Sequence, residues 1–403
     1  MEESSERPWT NVRETVRDFG GRTGKASSPL PTSTSMTSPD KYFSLYLTLA
    51  ASITENAIEE GDPALAENLE KIDVYYLGLF AEVTEYIGRG LTYSVRRTKF
   101  ENSKDVVFKS SIPMRSAKTL NGQGSLDADR LAALLLELRI LTHPPFRDHQ
   151  NIVNIIQVGW EGDALDVSKK WPVLVMEYAD RGTLVDYFDE NVSADFPTKL
   201  SLCANVTSGL QALHGCHVVH GDLKLENVLV FTGDDGQPVA KLSDFGGALL
   251  DSPNELSLHL GTPPWNAPEW RSKMLQEKLL KCDVYSLGLL LWRILLNGAD
   301  PFEDESIFSF PQGREQRLAA IEAEKMTDSV FLGKVKASVE RSGGHDLDRE
   351  LVWSIFDCAI QLDGSRRNLV RITELLDLSF DECVVSLVHL ERNGLSLGSA
   401  ALV

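Results

Sequence analysis

The sequence predicts an α+β protein of two lobes: a small lobe built on an antiparallel β-sheet with one main helix, then a larger and mostly helical lobe. Three observations carry this. From about Glu85 the chain runs in short segments rich in β-branched residues, EYIGRGLTYSV and KDVVFKSS. A single Leu-rich stretch, LDADRLAALLLELRILT from Leu126 to Thr142, interrupts them at helical spacing. After Gly182 long helical patterns take over: KLSLCANVTSGLQALHG, LGLLLWRILL and LDRELVWSIFDCAIQ.

Taken in order, residues 1–40 contain SSPLPTSTSMTSP, too poor in apolar groups to offset the entropy of ordering, and are expected to form a disordered tail. Residues 41–83 carry Leu45, Leu47, Leu49, Ile53 and Ile58 at loosely helical spacing and are expected to form a helical N-terminal extension. The small lobe is assigned to 84–178. Within it Ser125 is placed as the N-cap of the Leu-rich helix, and Glu137 lies inside its apolar face. The segments NIVNIIQVG and PVLVMEY read as two more strands, separated by the polar EGDALDVSKKW. The large lobe is assigned to 179–376, followed by a C-terminal tail over 377–403. No fixed-period repeat is visible.

A chain of 403 residues, 42% hydrophobic and 25% charged, can bury a sizeable core. Its formal net charge of -19 repels phosphate backbones and anionic lipid, so neither nucleic acid nor a membrane surface is expected as a partner. The strongest apolar run, from Leu287, is too short to span a bilayer and contains Arg293. The five cysteines are scattered without a CxxC pair, and MEESSERPW opens on acids with no apolar run behind it. A reducing compartment, cytoplasmic or nuclear, is the expectation.

The chemistry concentrates in VVHGDLKLENVLV, from Val218 to Val230. Phosphoryl transfer asks a protein for a carboxylate to orient the attacking hydroxyl, a cation near the moving phosphoryl group and an oxygen ligand for magnesium. Asp222, Lys224 and Asn227 are residues of those three kinds. Downstream, NVLVFTGDDGQPVAKLSDFGG reads as two strands joined by a turn at Gly233 to Gly236, which returns Asp244 beside the first site as a second metal ligand.

These motifs resemble the eukaryotic protein kinase superfamily, over about Glu85 to Leu376. The other family motifs follow in order. In GTPPWNAPEW the family's APE is Ala267, Pro268 and Glu269, and in KCDVYSLGLLLW Asp283 stands where the family braces the catalytic loop. Arg366 in DGSRRN stands where the family pairs an Arg with that Glu, so a Glu269–Arg366 ion pair is expected. VVFK makes Lys109 the residue for the ATP α- and β-phosphates, with Glu137 as its partner. In IGRGLTYSV, Gly88, Gly90 and Val95 fit the glycine-rich loop, and Tyr93 replaces its third glycine. LVMEYADRGTL resembles the hinge: Met176 would guard the adenine pocket, and the main chain from Glu177 to Ala179 would bind the base. Thr262 would hydrogen-bond near the catalytic Asp and Lys. ATP and Mg2+ are implied as cofactors and protein substrates as partners; the oligomeric state is unreadable.

Gly221 sets this chain apart. Protein kinases usually place Arg between the His and the Asp, whereas phosphotransferases of the aminoglycoside and choline kinase type commonly place Gly there. APE, the DxxSxG helix and Lys224 favour a Ser/Thr protein kinase. In kinases with the Arg, its guanidinium holds a phosphorylated activation segment. Gly221 cannot, so phosphorylation of Ser252 or Ser257 is expected to be dispensable. The alternatives are a pseudokinase scaffold that binds nucleotide or partners without efficient catalysis, and a small-molecule phosphotransferase.

Overall fold

The computed structural model describes residues 85–89, 93–99, 105–111, 123–161, 171–190, 194–250, 254–258, 261–304, 308–311, 313–341 and 346–378. The expectations for the tail and extension before residue 84 and for 379–403 lie outside these residues, as do Gly90 and Ser252. The chain forms two compact units, one containing the segments up to His149 and Val153–Tyr178, the other Gln150–Ile152 and everything from Ala179 onward.

The first unit is a five-stranded antiparallel sheet: β1 (Glu85–Arg89), β2 (Tyr93–Lys99), β3 (Asp105–Ser111), β4 (Ile155–Glu161) and β5 (Trp171–Glu177), in the order β1-β2-β3-β5-β4. Alternation explains how β3 serves two faces. Val106 and Phe108 pack with Val173 and Val175 of β5 into one apolar cluster, so Val107 and Lys109 must point the other way. Helix α1 spans Gln123–Leu141 and buries Leu134, Leu135, Leu138, Ile140 and Leu141; the short helix α2 (Pro144–Arg147) buries Phe146 behind it.

Two expectations are corrected here. Ser125 is the third residue of α1 and not its cap. A good cap residue does not fix a boundary when a helix anchored by a packed downstream face can propagate past it. The segment NIVN does not belong to β4. Asn151 belongs instead to the second unit, where its carbonyl accepts from Leu242 N and its amide donates to the Ala240 carbonyl.

In the second unit, helices α3 (Leu184–Glu190) and α4 (Phe196–Gly215) precede the hairpin of β6 (Val228–Thr232) and β7 (Pro238–Leu242). Asp195 caps α4 by accepting from Thr198 N at 2.9 Å, with Pro197 in the first turn, where its missing N–H costs nothing. Helix α5 (Gln276–Leu295) is apolar nearly all round and correspondingly buried on nearly every side. After it come α6 (Arg314–Lys325), α7 (Asp328–Arg341), α8 (Asp346–Ala359) and α9 (Leu369–Leu378); α4, α7 and α8 pack against α5, and α9 packs on α4 and α8. The approach to the end of α8 is so close that a Cβ at Gly288 of α5 would fall 2.7 Å from Ala359 and Ile360. Trp292, Phe302, Phe308 and Phe331 form an aromatic cluster at the C-terminal half of α5.

Candidate active site

In the first unit, β3 delivers Lys109 and α1 delivers Glu137. Lys109 Nζ donates to both carboxylate oxygens of Glu137, at 2.8 and 2.7 Å, and the residues are 6% and 2% exposed. A carboxylate among leucines is tolerated because this ammonium compensates it. Glu137 therefore does not turn to solvent. The Tyr93 ring lies over Lys109 Nζ with its centroid 3.9 Å away, so the residue replacing the third glycine covers the lysine.

Gly88 pairs with Val95 across β1 and β2, and a Cβ on Gly88 would touch the Val95 Cβ at 3.9 Å. Met176 is buried in β5 between Val107 and Ile155. The Glu177 N–H donates to the Asn154 carbonyl, and its carboxylate accepts from Asn154 N at 2.7 Å. The amide of this expected base-binding residue is thus already engaged. Ala179 is buried, and its carbonyl accepts from Gly182 N. Arg97 of β2 pairs with Asp105 and stacks on Tyr178 at 4.2 Å; the hydrogen bond to Asp105 raises its pKa above the usual value.

In the second unit the loop before β6 brings four predicted residues together. Lys224 Nζ donates to Asp222 Oδ2 at 2.7 Å and to Thr262 Oγ1 at 2.8 Å, and Thr262 Oγ1 donates to Asp222 Oδ1 at 2.7 Å. Asn227 Nδ2 donates to the Asp222 carbonyl at 2.8 Å and to Oδ2 at 3.0 Å. The carboxylate of Asp222 is thereby fixed by three side chains while remaining about a fifth accessible. Asn227 engages Asp222 through its amide nitrogen, which leaves its amide oxygen as the donor atom for a cation.

Buried polar groups hold the loop from behind. Asp283 on α5 accepts from His220 N at 2.7 Å, Gly221 N at 2.9 Å and His214 Nε2 at 3.1 Å. His220 is fully buried; its Nε2 meets the Ser243 carbonyl and its Nδ1 accepts from Asp222 N, which assigns the neutral tautomer protonated at Nε2. Ser243 N and Oγ both donate to the Asn227 carbonyl, tying the strand end that carries Asp244 to the residue facing Asp222. Asp244 itself sits in the left-handed region at φ 65° and ψ 71°. A non-glycine residue there costs about 1 kcal/mol or more and persists only where its surroundings impose it.

Gly221 has φ +80°, and a Cβ would meet the Gly247 carbonyl oxygen and Leu258 Cδ2, both at 3.2 Å. Glycine is thus favoured by the backbone, and any side chain here would also press on two neighbours. The space beside it is taken by the buried Leu258.

The expected Glu269–Arg366 pair is replaced by Glu269–Arg367. Arg367 is fully buried; its two terminal nitrogens donate to the two Glu269 oxygens, and it also donates to the carbonyls of Lys281, Gln361 and Leu362. Arg366 ends a single 3-10 turn, Gly364–Arg366, and faces solvent. Adjacent arginines cannot be told apart by spacing, and the turn rotates the second one inward. Lys325 was not anticipated. It ends α6 like an ordinary surface lysine, yet is 1% exposed with its ammonium hydrogen-bonded to the Pro264 and Asn266 carbonyls and to Glu322.

Comparison with known proteins agrees with this geometry. Residues 81–342 match the model of the protein kinase domain family. The serine/threonine-protein kinase ste20 of Emericella nidulans is 36% identical over 160 residues, covering 39% of this chain and 17% of the relative. CLA4 of Candida albicans is 31% identical over 211 residues, 50% of this chain and 20% of the relative. SIK1 of Rattus norvegicus is 31% identical over 184 residues, 45% and 22%. The chain thus spans about a fifth of the length of the curated relatives it matches. With the family match covering more than half of the chain, and with a five-stranded antiparallel lobe followed by a helical one, the chain belongs to the protein kinase domain family.

Proposed function

We propose that this chain is a serine/threonine protein kinase that transfers the γ-phosphoryl group of ATP to hydroxyls of protein substrates. The observation that carries this is the Asp222, Lys224, Thr262 and Asn227 constellation, in which one carboxylate is fixed from three sides yet left partly open. The acceptor oxygen forms a bond to the γ-phosphorus as the bond to the β-phosphate's bridging oxygen breaks, with ADP leaving. The hydroxyl proton passes towards Asp222. Lys224 offsets charge beside that carboxylate, and Thr262 sets its rotation.

The Asn227 amide oxygen and the Asp244 carboxylate are the groups that would hold Mg2+. The strained backbone of Asp244 fits a residue placed for function. Bound magnesium supplies charge neutralisation at the transferring phosphate. Lys109, oriented by Glu137, is assigned to the nucleotide's α- and β-phosphates, with Gly88, Gly90 and Val95 covering them. Met176 and the main chain at Glu177 and Ala179 are assigned to the adenine.

Activation is assigned no phosphorylation requirement at Ser252 or Ser257, because Gly221 offers no guanidinium and Leu258 packs at that position. No helix among the described residues is long and apolar enough to cross a membrane. The test is magnesium-dependent transfer from labelled ATP to a Ser/Thr peptide library, with Asp222→Asn alongside. Label on Ser and Thr from the wild type alone is expected. Nucleotide binding without transfer would establish the scaffold alternative instead.

A further inference from the structure

The segment 261–270 contains Thr262, which touches Asp222, and Trp265 three residues on, so in the function proposed above, on which this inference rests, it borders the place where the acceptor hydroxyl must sit. Besides the Glu269–Arg367 pair, the segment is held at three places around Trp265. Thr262 bonds Asp222 and Lys224. The Trp265 ring meets Phe302 at 5.7 Å, and the Arg293 guanidinium lies over the same ring 4.7 Å from its centroid, joining the segment to the aromatic cluster on α5. The third hold is Lys325, whose Nζ donates to the carbonyls on either side of Trp265: Pro264 at 2.9 Å and Asn266 at 2.5 Å.

The placement of this ammonium is expensive. Burial pulls its pKa below the ordinary lysine value, against the attraction of Glu322 and Glu269, while Arg367 pushes the same way as burial. Glu322 receives its remaining hydrogen bond at 3.0 Å, and the Tyr285 ring lies 5.7 Å away. A surface salt bridge would not need such a site. A cation that donates to two main-chain carbonyls flanking one residue fixes the direction of the intervening side chain and peptide planes. A methionine would fill the same space without these bonds.

We infer that Lys325 is a positioning residue for the acceptor protein, fixing the Pro264–Asn266 backbone so that a peptide lies in register with Asp222. It touches neither the nucleotide nor the reacting atoms. Its loss therefore acts on the acceptor side of the reaction alone. In the full chain, Lys325→Met is expected to raise KM for the acceptor protein about tenfold while KM for ATP stays within about twofold. Amide exchange across 261–270 is expected to quicken while α5 stays protected.

Glu322→Gln removes the charge of the ammonium's partly exposed partner while keeping a side-chain oxygen to accept from Nζ, and is expected to shift both readouts in the same direction by a smaller amount. It decides the matter if Lys325→Met does not fold. Unchanged exchange in 261–270, or equal losses on the ATP and acceptor sides, would overturn the inference. A wild-type chain that transfers no phosphate, while Lys325→Met still loosens the segment, would overturn the proposed function and leave the anchor standing.

Discussion

Arg366 and Arg367 are neighbours of the same chemistry, and the structure assigns them opposite weights. Replacing Arg367 by Met removes a guanidinium that bonds both Glu269 oxygens and three backbone carbonyls, and that stacks on Tyr285 at 4.8 Å. Breaking a buried ion pair from one side typically costs about 3–5 kcal/mol, because the other charge is left without compensation. The Glu269 side chain is 32% exposed, so water recovers part of its solvation and the expectation falls at the lower end, about 3 kcal/mol. Arg366→Met, on an exposed side chain, is expected to stay within about 0.5 kcal/mol. Denaturant unfolding of the full chain checks this. Arg367→Met should lower the midpoint with an unchanged slope, and Arg366→Met should overlay the wild type. Equal shifts from the two variants, or a loss under about 1 kcal/mol from Arg367→Met, would refute the assignment of the pair and its buried character.

Gly221→Arg is expected to destabilise the chain by about 1–3 kcal/mol through the positive φ, measured as a lowered unfolding midpoint. It should not confer dependence on Ser257 phosphorylation, since Leu258 already occupies the adjoining space. Thr262→Val keeps shape and removes the hydroxyl between Lys224 and Asp222, so turnover should fall on the order of tenfold to a hundredfold with the melting temperature little changed. Burial raises the carboxyl pKa of Asp300 above the ordinary value, despite its bond from Phe302 N and the attraction of Arg293. A raised acid contributes stability at pH below its unfolded value, and that contribution is lost as pH rises through the folded value. Asp300→Asn should therefore be more stable than the wild type at neutral pH, with the advantage disappearing in acid; a difference independent of pH would speak against it.

Much of this site was legible in the sequence because its chemistry is local. Asp222, Lys224 and Asn227 lie within one loop, and the hairpin that returns Asp244 is set by a five-residue gap between two alternating segments. The Lys109–Glu137 pair was legible for a different reason: an acid inside an apolar helix face demands a cation, and VVFK supplied one. What escaped was orientation at helix ends. Arg367 was missed by one position because a 3-10 turn decides which arginine faces inward. Lys325 was missed entirely, since a lysine in a last helical turn is what the macrodipole favours on any surface. The start of α1 and the role of NIVN were misread for a related reason: propagation from a packed face, and hydrogen bonds between Asn151 and β7, outweigh local cap and strand signals.

The central claim is that Asp222, held by Lys224, Thr262 and Asn227, orients an acceptor hydroxyl for phosphoryl transfer. Single-turnover transfer from Mg-ATP to a Ser/Thr substrate by Asp222→Asn tests it directly, with nucleotide affinity measured on the same sample. A rate at least about a hundredfold below wild type, at unchanged nucleotide affinity, is expected. Transfer at a rate comparable to wild type would contradict it.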